Sequence, residues 1–124
     1  MAGKVLVVED NELNLKLFCD LLEAHDYETE AVRDGRDAVD SARAFLPDLI
    51  VMDIQLPHVS GLELIAAMKA DPTLAAIPIM AVTAYASPAD EERARVAGAA
   101  SYVSKPISLM RFLEAIEALA PSEE

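Results

Sequence analysis

The sequence predicts an α/β fold, a doubly wound parallel sheet, and three observations carry that reading. Five short β-branched runs alternate with five stretches of helical periodicity along the 124 residues. Two of the runs, Ile50–Val51–Met52 and Ile77–Val82, are apolar almost without a break, as strands buried on both faces are. The connections between elements are short, which favours right-handed crossovers that lay helices on both sides of the sheet. At this length one domain accounts for the whole sequence, and 53% hydrophobic residues suffice for its core. The expectation is a single domain over 1–124, with no output domain.

Lys4–Val8 reads as the first strand. A helix is expected from Glu12 to His25, with Leu13, Leu17, Leu21, Phe18, Leu22 and Ala24 on one arc and Lys16, Cys19, Asp20 and Glu23 on the other. Asn14 reads as a satisfied polar group at the helix entrance. Tyr27–Val32 is a weaker strand, near an edge. Asp34 caps a helix from Arg36 to Phe45, which stops before Pro47. Asp48–Met52 is the central strand. Ser60 and Glu63 form a capping box that opens a helix from Gly61 to Ala70. Ile77–Val82 follows, with Pro78 near its start, where a missing donor does least harm. Ser87 and Pro88 open a helix that runs to Ala97 and is closed by Gly98. Ala99–Val103 is a short strand, and Ser108 caps a last helix to Leu119 with Leu109, Phe112, Leu113, Ile116 and Leu119 on its core side.

Charge and cysteine content narrow the function. Ten basic against 22 acidic residues give a net charge of −12, so direct nucleic-acid binding is not expected. Such a surface suits cations or a basic partner. One cysteine, Cys19, permits no internal disulfide and reads as an inert thiol in a reducing, cytoplasmic compartment. No signal peptide and no apolar stretch long enough to span a bilayer is read in the sequence, so no membrane insertion is expected.

Polar residues gather at the predicted strand ends. Glu9 and Asp10 follow the first strand, Asp53 the third, Thr83 the fourth and Lys105 the fifth. Taken alone, Asp53 could simply begin a turn, strand-end threonines are common, and acidic surface pairs usually only solvate. The joint placement on one edge is harder to dismiss, because open α/β sheets bind ligands there. With strand order 2-1-3-4-5, Glu9, Asp10 and Asp53 would meet at the switch point. Three close carboxylates repel, and an all-oxygen donor set suits Mg²⁺. Thr83 and Lys105 suit phosphoryl oxygens, and Asp53 can then act as a nucleophile that forms an acyl phosphate. His58 lies near this edge as a solvated loop residue.

With these residues in place the sequence resembles the receiver domains of bacterial response regulators. The likeness rests on Val8–Glu9–Asp10–Asn11, Met52–Asp53–Ile54–Gln55–Leu56–Pro57 with Gly61, Val82–Thr83–Ala84 and Lys105–Pro106. Glu9–Asn14, Met52–Pro57 and Ser104–Ser108 are similar to the stand-alone receivers of alphaproteobacterial cell-cycle and polarity signalling. The resemblance implies a flavodoxin-like (βα)5 fold with Asp53 as phosphoacceptor. It implies Mg²⁺ held by Asp10, Asp53 and the backbone carbonyl of Gln55, with Glu9 acting mainly through water. Thr83 and Lys105 would bind the phosphoryl group, Tyr102 would switch with Thr83, and the bond before Pro106 would be cis. Glu9 stands where many receivers have Asp, and Leu56 where many have Met. Gln55 and Tyr85 would flank the phosphate, and the small Ala84 would leave an open route to it.

The implied partners are a sensor histidine kinase or a histidine phosphotransferase, and a downstream effector or kinase regulated by binding. The chain is expected to be a monomer that assists its own phosphorylation and dephosphorylation without being a turnover enzyme. Its output would leave through the helix after Ser87, the strand with Tyr102 and the last helix, where Tyr102, Ile107, Met110, Ala115 and Ala118 can form a mildly apolar patch. The main alternative is a receiver that binds partners without phosphorylation. A turnover phosphatase lacks its usual second Asp, since Gln55 stands at that position, and a flavin protein would need a Gly/Ser/Thr-rich first loop instead of an acidic one.

Overall fold

The computed structural model describes residues 3–83, 87–104 and 109–119. Its elements alternate as expected: β1 (Gly3–Val8), α1 (Glu12–Ala24), β2 (Tyr27–Val32), a 3-10 turn (Gly35–Asp37) leading into α2 (Ala38–Phe45), β3 (Leu49–Asp53), α3 (Gly61–Ala70), β4 (Ile79–Thr83), α4 (Pro88–Ala97), β5 (Ser101–Ser104) and α5 (Leu109–Leu119). The five strands are parallel in the order β2-β1-β3-β4-β5. The strand order therefore reverses between β1 and β3.

Period-two alternation divides the core into two layers. Leu6, Val8, Ile50 and Met52 face a layer completed by Ala38 and Ala42 of α2, Leu64, Ile65 and Met68 of α3 and Ala94 of α4. Val5, Val7, Leu49 and Val51 face the other side, against Leu15, Phe18 and Leu22 of α1 and Phe112 and Ile116 of α5. All five residues of β3 and all five of β4 are buried, which explains why both read as unbroken apolar runs. Phe18 and Phe112 stack with centroids 4.6 Å apart and an interplanar angle of 14°, joining α1 to α5. Among the described residues no helix is long and apolar enough to cross a membrane.

The structure corrects several local expectations. In α1 the buried face is Leu15, Phe18 and Leu22, and Leu13 and Leu17 are 76% and 45% exposed. At 100° per residue Leu13 and Leu17 lie about 160° from Leu15, on the far side of the wheel. Cys19, expected on the polar side, is half-buried against the α1/α5 layer. Burial is the main cause that pushes its thiol up from the ordinary value, so it is a poor nucleophile. Arg36 sits in the 3-10 turn and not in α2. There Asp34 accepts from the Arg36 N–H. The strand expected from Ile77 starts at Ile79, after Pro78, whose carbonyl accepts from Ile50 N at 3.0 Å. The last strand starts at Ser101 rather than Ala99. Ser60 does cap α3, but it accepts from Leu62 N, two residues on.

Candidate functional site

The parallel register puts the acidic residues together. Val8 pairs with Met52 across β1 and β3, so Glu9 and Asp53 emerge side by side at the carboxyl edge. Oxygens of Glu9, Asp10 and Asp53 lie within 4.8 Å of one another. Glu9 is only 1% exposed and Asp53 3%, whereas Asp10 is more open to solvent. Two buried carboxylates with a third beside them call for a cation or protons to offset their repulsion. The donors are all hard oxygens, the set that suits Mg²⁺ rather than a softer metal.

Main-chain donors fix two of these carboxylates. Asn11 N donates to Glu9 Oε2 at 3.1 Å, and Gln55 N donates to Asp53 Oδ1 at 2.8 Å. The strand ends are tied in turn by Glu9 N to Val32 O (3.0 Å) and Ile54 N to Val82 O (2.9 Å). Asn11 also caps α1, with its Oδ1 accepting from Asn14 N at 3.0 Å. The sequence reading named neither role of Asn11, although an Asn just ahead of a helical run is a recognisable cap signal.

Thr83 ends β4 and is fully buried. Since Asp53 pairs with Val82, Thr83 stands one residue beyond it on the neighbouring strand. Tyr102 lies in β5 opposite Ala81, half-buried against the α2/α3/α4 layer. Its hydroxyl is buried and, among the described residues, has no hydrogen-bond partner. The other expected residues, Ala84, Tyr85, Lys105, Pro106, Ile107 and Ser108, lie outside the described residues.

An open cleft beside the cluster is lined by Asp10, Arg33, Asp34, Pro57 and His58. His58 is exposed and takes a left-handed backbone, with φ 72°. Asp34 binds the Arg36 guanidinium at 2.7 Å, and that hydrogen-bonded partner holds its carboxyl at about 2. Arg33 lies 3.8 Å from Glu12, at the start of α1.

This arrangement of an acidic switch point on a five-stranded parallel sheet has close relatives. Residues 5–117 match the response regulator receiver domain family. The chain belongs to this family. It is 56% identical over 117 residues to the polar-differentiation response regulator DivK of Brucella anthropi, covering 94% of this chain and 95% of that protein. The receiver domain of the sensor histidine kinase PA1611 of Pseudomonas aeruginosa superimposes with a TM-score of 0.87 at 30% identity, over 96% of this chain and 98% of that one. That structure has a magnesium ion coordinated in its active site cleft. The chemotaxis response regulator CheY4 of Vibrio cholerae matches with a TM-score of 0.90 at 26% identity, over 96% and 99% of the two chains. The chain is thus a response regulator receiver of two-component signalling, similar to DivK.

Proposed function

We propose that this receiver accepts a phosphoryl group on Asp53 from a histidine kinase or histidine phosphotransferase. The observation that carries the reading is the meeting of Glu9, Asp10 and Asp53 at the switch point, with Thr83 at the next strand end. In the transfer an Asp53 carboxylate oxygen forms a bond to phosphorus. The phosphorus–nitrogen bond of the donor phosphohistidine breaks, and its electron pair returns to the imidazole, which takes up a proton. The product is an aspartyl acyl phosphate. The Gln55 N–H holds Oδ1 and so orients the attacking group.

Asp10, Asp53 and the Gln55 carbonyl would hold Mg²⁺, with Glu9 acting mainly through water. The ion would neutralise the cluster and the charge on the transferring group. Thr83 offers a hydroxyl to a phosphoryl oxygen, and Lys105 an ammonium. The chain promotes its own phosphorylation and dephosphorylation but does not turn over a substrate.

The signal leaves through the face of α4, β5 and α5, with Thr83 and Tyr102 as the switching pair. The attachment of α4 supports this. Only Ala94 of its ten residues is fully buried, so it is held by few apolar contacts and moves at little cost. The output is a change in affinity for a partner kinase or effector. Likeness to DivK supports a role in polarity and cell-cycle signalling, exercised by a cytoplasmic monomer.

Intact mass after incubation with Mg²⁺ and acetyl phosphate tests the reading. Wild type should gain one phosphoryl group in a metal-dependent manner, and Asp53→Asn none. Equal gain by both proteins would move the acceptor elsewhere. No gain from acetyl phosphate or from a phosphohistidine donor would leave a receiver that only binds partners.

A further inference from the structure

We propose that Gly61 is a positioning residue for Asp53, because its missing side chain lets the first turn of α3 brace the main chain that carries the carboxylate. The proposal rests on the reading of Asp53 as phosphoacceptor and adds a residue to that site.

Gly61 is the first residue of α3 and is buried. Its φ is not in the left-handed region, so the backbone conformation does not call for glycine. The demand is for space. A Cβ at this position would lie 2.9 Å from the carbonyl carbon of Asp53, and closer still to its oxygen and to Ile54 Cα. These are backbone atoms of the acceptor and of the residue that follows it, and they cannot swing aside as a side chain can. Gly35 and Gly98 differ, since a Cβ on either would meet side chains: Val59, Leu56 and Leu64 in one case, Lys69 in the other.

Two further bonds make the contact consequential. Gly61 N approaches Ile54 O at 3.3 Å, and Ile54 N is bonded to Val82 O, so the segment after Asp53 is held between α3 and β4. Glu9 and Asp10 stand on the end of a different strand and do not follow if Asp53 is pushed. A site that needs three carboxylates within 4.8 Å is sensitive to a displacement of well under an ångström in one of them.

The test compares the full chain as wild type, Gly61→Ala and Gly98→Ala. Mg²⁺ affinity is read from amide chemical shifts, and the phosphorylation rate at saturating Mg²⁺ and acetyl phosphate from intact mass. Gly61→Ala should weaken Mg²⁺ binding and slow the saturated rate, each by about tenfold or more. Gly98→Ala is strained by its φ of 120° and by Lys69 Cγ at 2.6 Å. It should lose stability yet keep both site constants within about twofold, as expected of a remote structural lesion. A Gly61→Ala protein with wild-type Mg²⁺ affinity and saturated rate overturns the proposal. If Gly61→Ala does not fold, wild type decides. Its Gly61 and Ile54 amide signals must titrate with Mg²⁺ at the Asp53 midpoint, and signals that stay put overturn it. A wild type that binds Mg²⁺ but takes no phosphoryl group from any donor sinks the acceptor reading, while the Mg²⁺ arm still decides the role of Gly61.

Discussion

Replacing Asp53 with Asn should make the metal-free protein more stable. The substitution removes a charge while nearly keeping the shape, and the Asn oxygen can still accept from Gln55 N, which now lies 2.8 Å from Asp53 Oδ1. Two repulsions are relieved, one with Glu9 and one with Asp10, across at most 4.8 Å. At that distance a pair of like charges costs about 3.5 kcal/mol at an effective dielectric of about 20, and about 0.9 kcal/mol in bulk water. Glu9 is buried and belongs nearer the first figure, and the more open Asp10 nearer the second. The charged form of Asp53 recovers about 1 kcal/mol from the Gln55 hydrogen bond, which the variant keeps only in part, and its further interactions offset more of the repulsion. The two repulsions sum to about 4.4 kcal/mol and the Gln55 hydrogen bond returns up to about 1 kcal/mol, so the gain for Asp53→Asn has an upper bound of about 3–4 kcal/mol, which the other interactions of Asp53 reduce.

Excess Mg²⁺ should shrink or reverse this difference. A ligand at 100 times its dissociation constant stabilises the folded state by about 2.7 kcal/mol, and a variant short of one ligand collects little of that. The assay is urea unfolding followed by far-ultraviolet circular dichroism at neutral pH, in EDTA and in excess Mg²⁺. An Asn variant less stable than wild type in EDTA would refute the electrostatic account of the cluster. An equal response of both proteins to Mg²⁺ would refute Asp53 as a ligand.

Three further outcomes are expected. Phe112→Ala should cost about 3–5 kcal/mol in urea unfolding. A double-mutant cycle with Phe18→Ala should return a coupling of about 0.5–1.5 kcal/mol from the stacked pair. Zero coupling would reduce the two rings to mere neighbours. Tyr102→Phe should leave the thermal midpoint unchanged or raise it, because the lost hydroxyl is buried without a partner among the described residues. A loss of more than about 1 kcal/mol would show that the hydroxyl is hydrogen-bonded in solution. Asp71 is held below the ordinary carboxylate range, first by the Thr73 N–H and then by Arg43. Its folded value is lowered, so its contribution is complete above the usual Asp range and is lost as pH falls through the folded value. Asp71→Asn should therefore flatten the acid limb of urea midpoint against pH, and an unchanged slope would contradict this.

What the sequence made legible, and what it hid, follow from the range of each interaction. The sheet was readable because residues buried on both faces, as in β3 and β4, must be apolar whatever they touch. The acidic cluster was readable because parallel strands deliver their ends to one edge, so the strand order alone brings Glu9 and Asp10 to Asp53. Caps at Ser60 and Ser87 are local chemistry and were equally visible. Periodicity failed in α1, where Leu13, Leu15, Leu17, Phe18, Leu21 and Leu22 cover most of the wheel. An apolar count cannot say which arc the sheet will cover. The answer lies in the opposing surface, where Phe112 seats Phe18 and so turns Leu13 and Leu17 to solvent. Gly61 was visible as part of a motif, yet its reason was not. A glycine at a helix start with ordinary φ carries no local signal. Its need comes from main-chain atoms seven and eight residues earlier, which only the folded β3–α3 corner brings against it. That corner joins a legible element to a legible carboxylate, and its close contact decides whether the carboxylate is held where the other two can meet it.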